Sequence, residues 1–141
     1  MRGKIKFMLL ICSVLLMLGC ASPALEHLEQ GDTYADQEQW DEAIVQYDKA
    51  IELDPKLAVA YNNRGWAYNE IGQWNLAIID LDKAIELNPE LAWAYNNRGN
   101  TYFDKGKIDN AIADWNKVIE VSTNPDLIQA AREAIRVLEG Q

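Results

Sequence analysis

The sequence predicts an all-α solenoid in which three helix-turn-helix units are stacked and closed by a C-terminal helix. The first observation is that six residues, AYNNRG, occur at 60–65 and again unchanged at 94–99, a period of thirty-four. The second is that apolar and small residues fall on two helical faces within each period. Repetition at a fixed period of this length is typical of an architecture that stacks equal units, and not of a single catalytic site.

Residues 1–19 have the layout of a secretory signal peptide that is removed. Three cationic residues precede the mostly apolar run 7–18. As a helix this run would extend about 18 Å, short of the roughly 30 Å hydrocarbon layer. The ending LMLGC resembles the lipobox of bacterial lipoproteins, which implies that Cys20 becomes the acylated first residue. The alternative is an ordinary cleaved signal that leaves a free thiol on Cys20.

The lipoprotein resemblance also implies a location. If the family's sorting rule applies, Ala21 after the cysteine indicates the outer membrane, at its periplasmic face. Residues 20–23 would be the lipidated cysteine and a short linker, with a reach of about 13 Å. The expected location is therefore the bacterial cell envelope, with the lipid as the chain's only membrane anchor.

The rest of the chain divides at this period into units 24–57, 58–91 and 92–125. Each unit contains two helical patterns, so two antiparallel helices are predicted per unit. Glycine inside a helix costs about 1 kcal/mol relative to alanine, so recurring glycines indicate places where the partner helix comes too close for a side chain. The matched positions are Gly31, Gly65 and Gly99; Tyr34, Tyr68 and Tyr102; Ala43, Ala77 and Ala111; and Tyr47, Leu81 and Trp115.

These periodic residues resemble the tetratricopeptide repeat (TPR) family over residues 24–125. The resemblance implies a right-handed superhelix of three repeats whose first helices line a concave groove. Residues 126–141 carry an amphipathic stripe and are interpreted as a helix that caps the apolar end of the stack. Docking of this helix to a second protomer is the alternative. Gly72 and Gly106 suit left-handed turns between helices, and Glu38 stands at the matching place in the first unit.

The arginine of each AYNNRG stretch is followed, at the same interval in both units, by an aspartate. In unit one the same two places hold Gln30 and Gln46, so both partners change together. The pattern predicts an ion pair that joins the two helices of a unit, replaced in unit one by an amide pair. A ligand-binding role for either arginine is the alternative. The predicted pairs are Arg64 with Asp80 and Arg98 with Asp114.

The TPR resemblance places polar and aromatic residues along the groove. A row of asparagines can bind the main chain of a peptide without specifying its side chains, because each amide both donates and accepts. The alternative is that the aromatic residues pack adjacent units and the asparagines are solvated. The implied positions are Asn62, Asn63, Trp66, Asn69, Glu70, Trp93, Asn96, Asn97, Asn100, Phe103 and Asp104, with Val59, Leu25, Leu28, Glu29, Asp32 and Asp36.

The groove positions contain no lysine or arginine, and the chain has a formal charge of −9. Removal of the three leader cations would leave −12. Such a surface repels nucleic acid and favours a neutral or basic protein segment as partner. The TPR subclass that clamps C-terminal carboxylates has Lys, Asn, Asn, Lys and Arg at five groove positions, of which only one agrees here. In this chain those five positions hold Leu28, Asp32, Asn63, Trp93 and Asn97, and only Asn63 has the residue of the subclass.

No catalytic group, cofactor site or metal site is predicted. His27 is the only histidine and stands where Tyr61 and Tyr95 stand in the other units, which favours a packing role. No nucleophile has a base at a recognisable spacing, and no glycine-rich phosphate loop is present. The sequence therefore favours a membrane-anchored interaction adaptor in envelope assembly. The alternative is a structural element that forms homo-oligomers through the repeat ends or the terminal helix.

Overall fold

The computed structural model describes residues 22–140, which form seven α-helices and no strand. The predicted signal peptide and the predicted acylation of Cys20 lie outside the described residues. None of the seven described helices is long and apolar enough to cross a membrane. The helices are α1 Pro23–Asp36, α2 Trp40–Leu53, α3 Ala58–Glu70, α4 Trp74–Leu87, α5 Ala92–Asp104, α6 Ile108–Val121 and α7 Pro125–Glu139.

The helices pack as consecutive hairpins, α1 with α2, α3 with α4, and α5 with α6. Adjoining hairpins meet through α2 against α3 and through α4 against α5, and α7 packs on α6. The first helices also contact one another in order, α1 with α3 and α3 with α5. The predicted all-α solenoid of helix-turn-helix units is therefore confirmed.

A glycine in the first helix allows the close approach within each hairpin. A Cβ atom added to Gly65 would lie 2.8 Å from Leu81 Cγ and 3.2 Å from the carbonyl oxygen of Ala77. A Cβ atom added to Gly99 would lie 2.8 Å from Nε1 of Trp115. Because one of these neighbours is backbone, α3 and α4 would have to move apart to admit a side chain. Steric exclusion thus accounts for the recurring glycines.

The turn within each hairpin contains one residue in the left-handed region. Its φ angle is 74° at Gly72, 73° at Gly106 and 58° at Glu38. The first turn therefore adopts the same conformation as the other two, although a left-handed residue other than glycine costs roughly 1–2 kcal/mol. Between hairpins, Asp54 and Asn88 accept hydrogen bonds from the backbone N–H two residues later, at 3.0 and 3.1 Å. These contacts end the second helices before the next hairpin begins.

The C-terminal helix covers the end of the third unit. Leu127, Ala131 and Ile135 are buried where α7 packs on α6. The side chain of Asn124 caps α7 by accepting hydrogen bonds from the N–H groups of the residues two and three positions later, at 2.9 and 3.2 Å. One apolar face of α7 is thus used in the fold, and the helix has the capping position that its stripe predicts.

Candidate protein-binding groove

Arg64 joins three helices through its guanidinium. Its Nε and Nη2 atoms donate to the two carboxylate oxygens of Asp80 on α4, at 2.6 and 2.7 Å. Its Nη1 atom donates to Asp48 on α2, at 2.6 Å. Burial lowers the pKa of Arg64, but the hydrogen bonds to both aspartates outweigh burial and raise this pKa above its ordinary value. Arg64 therefore links its own hairpin to the preceding one.

Arg98 repeats this arrangement one unit later. It donates to both oxygens of Asp114, at 2.8 and 2.7 Å, and to Asp82, at 2.5 Å. The side chain of Asp114 is 8% exposed, whereas that of Asp82 is 53% exposed. The partners Asp48 and Asp82 were not predicted. They lie one repeat period apart, and each precedes its arginine by the same interval at which the predicted aspartate follows it. That spacing was the signal that could have found them.

The amide pair predicted for unit one is wrong. Gln30 Nε2 donates to Glu26 on its own helix, at 3.4 Å. Gln46 Oε1 instead lies 2.9 Å from His27 Nδ1, which links α1 to α2. A glutamine side chain is shorter than an arginine side chain, so Gln30 does not reach across the hairpin. The half-buried His27, about one turn earlier on α1, lies opposite Gln46.

The groove asparagines form a hydrogen-bond relay that crosses all three units. Asn97 Nδ2 donates to Asn62 Oδ1 at 3.0 Å, and Asn62 Nδ2 donates to Asn63 Oδ1 at 2.9 Å. Asn63 Nδ2 then donates to Asp32 Oδ1 at 2.7 Å, and the Tyr47 hydroxyl donates to the same oxygen at 2.8 Å. A carboxylate accepts hydrogen bonds without donating, so Asp32 sets the direction of every amide in the relay.

The relay bonds several of the predicted groove asparagines to protein partners, and one of them is buried. Asn62 and Leu28 are 7% and 9% exposed, and both belong to the interior of the solenoid. Asn63 and Asn97 are half-buried, and each uses an amide N–H within the relay. The physical reason is helix rotation: Asn62 faces the next first helix, α5, and not the open side of the groove.

Trp66 and Asn69 are also engaged by neighbouring side chains. Trp66 Nε1 donates to Glu70 at 2.9 Å, and its ring packs edge-on against Trp40 with centroids 5.0 Å apart. Asn69 Nδ2 donates to Asp104 on α5 at 3.0 Å, which leaves the buried Asn69 Oδ1 without a protein partner. Trp66 therefore contacts the preceding unit and is only partly available to a ligand.

Two predicted groove aromatics remain exposed, Trp93 at 50% and Phe103 at 45%. They line two adjoining cavities of about 350 and 890 Å³ that open between α5 and α7. Trp115 of α6 lines both cavities, and its Nε1 donates to Asn100 Oδ1 at 3.2 Å. We call this space the α5–α7 trough. The residues that define it are Trp93, Asn100, Phe103, Trp115, Ala130 and Ala134.

The α7 side of the trough was not among the predicted groove residues. Ala130 and Ala134 line both cavities, and each lies one repeat period after a predicted groove position, Asn96 and Asn100 respectively. Both alanines lie within residues 126–141, whose amphipathic stripe predicts the cap. The structure divides that stripe, because Ala131 is buried against α6 whereas Ala130 is exposed.

The trough and the first helices carry almost no available positive charge. The charged residues that line the trough are Asp126 and Glu133. The only lysine or arginine residues on α1, α3 and α5 are Arg64 and Arg98, and carboxylates hold both. Within residues 22–140 no group of three His, Cys, Asp or Glu side chains is arranged to bind a metal ion. The site therefore offers mainly apolar side chains and two carboxylates to a ligand.

Two family models match most of the described chain. A model for the TPR repeat matches residues 31–72 and 65–106, and a model for the tetratricopeptide repeat matches residues 92–124. The chain belongs to the TPR family. None of the curated proteins compared with this TPR chain matches it in sequence.

Solved TPR domains are similar to this TPR chain over most of its length. The first TPR domain of Spaghetti (RPAP3), bound to the HSP90 peptide SRMEEVD, is 31% identical with a TM-score of 0.74 and covers 84% of this chain and 96% of that chain. The first TPR domain of human RPAP3 is 31% identical with a TM-score of 0.75, covering 84% and 94%. The N-terminal domain of stress-induced protein-1 from C. elegans is 26% identical with a TM-score of 0.66, covering 79% and 93%.

Proposed function

We propose that this TPR chain is a protein-interaction adaptor whose concave face, formed by α1, α3, α5 and α7, binds a segment of a partner protein. The observation that carries the proposal is the α5–α7 trough, where Trp93 and Phe103 stand exposed beside Trp115. Exposed aromatic side chains around a concave, mostly apolar space are typical of binding sites. The peptide complex of the similar Spaghetti domain supports the same kind of use.

The proposed partner segment is neutral or basic. The Spaghetti domain binds a peptide that ends in EEVD, in which three of the four residues are acidic. In this chain, four positions that the carboxylate-clamping TPR subclass fills with lysine, asparagine or arginine are occupied differently. Leu28 is buried, Asp32 is acidic, Trp93 is exposed and Asn97 heads the relay. An acidic peptide would meet no available cation on α1, α3 or α5, whereas a basic segment would meet carboxylates.

Crosslinking from two matched positions tests the adaptor proposal. A photoreactive residue replaces Trp93 in the trough or Ile79 on α4, which is 62% exposed and lines neither cavity of the trough. We expect specific protein adducts from position 93 and not from position 79. Their yield should fall as salt is raised from about 50 mM to about 0.5 M, because screening weakens contacts between opposite charges. Equal capture from both positions would reject the groove, and capture that increases with salt would reject the basic partner.

We also propose that a lipid on Cys20 holds the adaptor in the bacterial cell envelope, at the periplasmic face of the outer membrane, where it serves envelope assembly. The support is the lipobox-like ending LMLGC and the few residues between Cys20 and α1, which begins at Pro23, one residue earlier than the predicted linker allowed. Several acyl chains on one residue suffice for stable anchoring. Wild-type chain should incorporate a palmitate analogue and sediment with membranes, and Cys20→Ser should do neither. A wild-type chain that stays unlabelled and in the soluble fraction would contradict the lipid anchor.

The exposed end of α7 favours a second candidate, self-assembly. Val137 lines the trough and is 52% exposed, so the terminal helix offers apolar surface to another copy. Sedimentation over a wide concentration range separates the two functions. A mass that stays monomeric eliminates the self-assembly candidate, whereas a mass that rises with concentration supports it.

A further inference from the structure

The two walls of the α5–α7 trough carry side chains at the same helical spacing. The α5 wall presents Trp93, Asn96, Asn100 and Phe103, which are three, four and three residues apart. The α7 wall presents Leu127, Ala130, Ala134 and Val137, with the same spacing and an offset of one repeat period. Residues spaced alternately three and four positions apart form one stripe along a helix, and helices pack through such stripes. By this register, α7 takes the position of a first helix that follows the third unit.

The relay ends at α5, and the trough lies beyond its last bond. Asn97 donates across to Asn62 and so bridges α5 to α3. The residue one repeat period after Asn97 is Ala131, which has no amide and is buried against α6. No equivalent bond therefore reaches Asn96 from α7. The next position that lines the trough from α7 is Ala134, where α5 has Asn100 and α3 has Trp66. α7 therefore has neither the amide that bridges α5 to α3 nor a large side chain at position 134, and the space between α5 and α7 is unfilled.

We propose that the α5–α7 trough docks an amphipathic α-helix of the partner, about three turns long, with lysine or arginine beside its apolar stripe. This inference rests on the proposed adaptor function and specifies its partner. The stretch from Leu127 to Val137 is about 15 Å long at 1.5 Å per residue, which matches roughly three helical turns. The two cavities, of about 350 and 890 Å³, have the size of sites that enclose several side chains.

Backbone hydrogen bonding favours a helix over an extended segment. An extended segment buried between α5 and α7 would need partners for its N–H and C=O groups, and each buried group left unpaired costs about 1–3 kcal/mol. The polar side chains along the trough are few, chiefly Asn96 and Asn100, and Asn100 already accepts from Trp115. A helix satisfies its own backbone. The small side chains of Ala130 and Ala134 let its axis approach to the usual distance of roughly 8–10 Å.

Charge determines what flanks the apolar stripe. Asp126 lies at one end of the trough and Glu133 toward the other, and the exposed Asp104 follows Phe103 on α5. The cations on α7 are Arg132 and Arg136, neither of which lines the trough, and Arg136 donates to Glu133 at 2.5 Å. Lysine or arginine on the guest helix therefore faces more negative than positive charge. Acidic flanks would face like charge at both ends.

Two synthetic peptides of about 14 residues test the proposal, both made of leucine and lysine in the same proportions. One has leucine at helical stripe spacing, and the other has a shuffled order without a stripe. Each is titrated into the chain lacking residues 1–19, which lie outside the described fold, while the indole N–H signals of its tryptophans are followed. We expect the stripe peptide to bind about tenfold more tightly than the shuffled one. It should shift the signals of Trp93 and Trp115 and leave those of Trp40, Trp66 and Trp74 in place.

Matched variants locate the contact. Ala130→Arg adds bulk and positive charge to the trough at an exposed residue, and should weaken binding of the stripe peptide by about tenfold. Ala113→Arg makes the same change at an exposed alanine of α6 that lines neither cavity, and should change the affinity by less than about twofold. Thermal unfolding of both variants checks that the fold is retained.

Several results would overturn the helix inference. Equal affinity of the stripe and shuffled peptides would show that the trough does not select a helix. Equal loss of affinity in the Ala130→Arg and Ala113→Arg variants would place the contact elsewhere. Self-association that Ala130→Arg abolishes would make a second copy of the chain the occupant. If the stripe peptide fails to bind while crosslinks from position 93 still capture a partner, the helix inference fails and the adaptor function stands; loss of those crosslinks as well rejects both.

Discussion

Removing the Arg64 guanidinium from its buried ion pair with Asp80 should cost far more stability than breaking the exposed ion pair that the same arginine makes with Asp48. Arg64→Met keeps an apolar stem but removes the guanidinium, which leaves the Asp80 carboxylate, 7% exposed, without its cation. Removing one partner of a buried pair costs about 3–5 kcal/mol, because the other charge stays buried and uncompensated. Whole domains are stable by only about 5–15 kcal/mol, so the loss should be plain in an unfolding curve.

Asp48 provides the matched control. Its side chain is 45% exposed, and it shares the Arg64 guanidinium with Asp80. Asp48→Asn breaks an exposed pair, and such pairs contribute at most about 1 kcal/mol. Arg64→Met should therefore cost at least about three times as much as Asp48→Asn. Adding Asp80→Asn to the Arg64→Met variant removes the uncompensated charge and should restore part of the lost stability.

The assay is urea unfolding followed both by circular dichroism and by tryptophan fluorescence. Free energies of unfolding are compared only where the two signals give coincident transitions, because repeat arrays can unfold in stages. If Arg64→Met and Asp48→Asn lower the free energy of unfolding by amounts that agree within about 0.5 kcal/mol, burial does not decide the cost of breaking these ion pairs. The same conclusion would follow from an Asp80→Asn change that recovers nothing in the Arg64→Met background.

Three further predictions concern other positions. Gly65→Val should destabilise the chain by about 1–3 kcal/mol in urea unfolding, because its side chain would displace α4, and an unchanged midpoint would contradict the close contact. Glu38→Gly should raise the free energy of unfolding by about 1 kcal/mol, and Gly72→Glu should lower it by a similar amount, since both positions have positive φ; changes in the opposite directions would refute this. Burial and the hydrogen bond to Asp32 raise the pKa of Tyr47 above its ordinary value of 10.0, so the unfolded chain loses this proton first and stability falls as pH rises past about 10. Tyr47→Phe should make that fall shallower between about pH 9 and pH 11, and an equal slope would exclude Tyr47 as its cause.

The hairpins could be predicted from the sequence because their contacts are set by steric rules that repeat. A glycine that must meet the second helix, and a left-handed turn after the first helix, recur at the same places in units two and three. The first unit shows the limit of such a rule. Glu38 adopts the left-handed turn without being glycine. Gln46, which the repeat pairs with Gln30, instead contacts His27. Where a unit departs from the repeat, local geometry decides.

The surface of the groove was harder to predict than the helices that form it. Adjacent residues on a helix point about 100° apart, so a small error in rotation exchanges interior for surface. Asn62 is buried and bonded to Asn97, whereas its neighbour Asn63 is half-buried and bonded to Asp32. The sequence shows two identical residues and cannot tell which one α5 covers. The α7 wall of the trough could have been found by extending the repeat register beyond the third unit.

Each of Arg64 and Arg98 has one buried and one exposed carboxylate partner, and this difference affects how a repeat array can change length over evolution. The carboxylates that each arginine shields from water, Asp80 and Asp114, always belong to the arginine's own unit. The carboxylates contributed by the preceding unit, Asp48 and Asp82, are about half exposed and tolerate solvent. Gain or loss of a whole unit by recombination would therefore sever only those arginine contacts that water can replace. Duplication of one whole unit therefore leaves neither Asp80 nor Asp114 buried without its arginine.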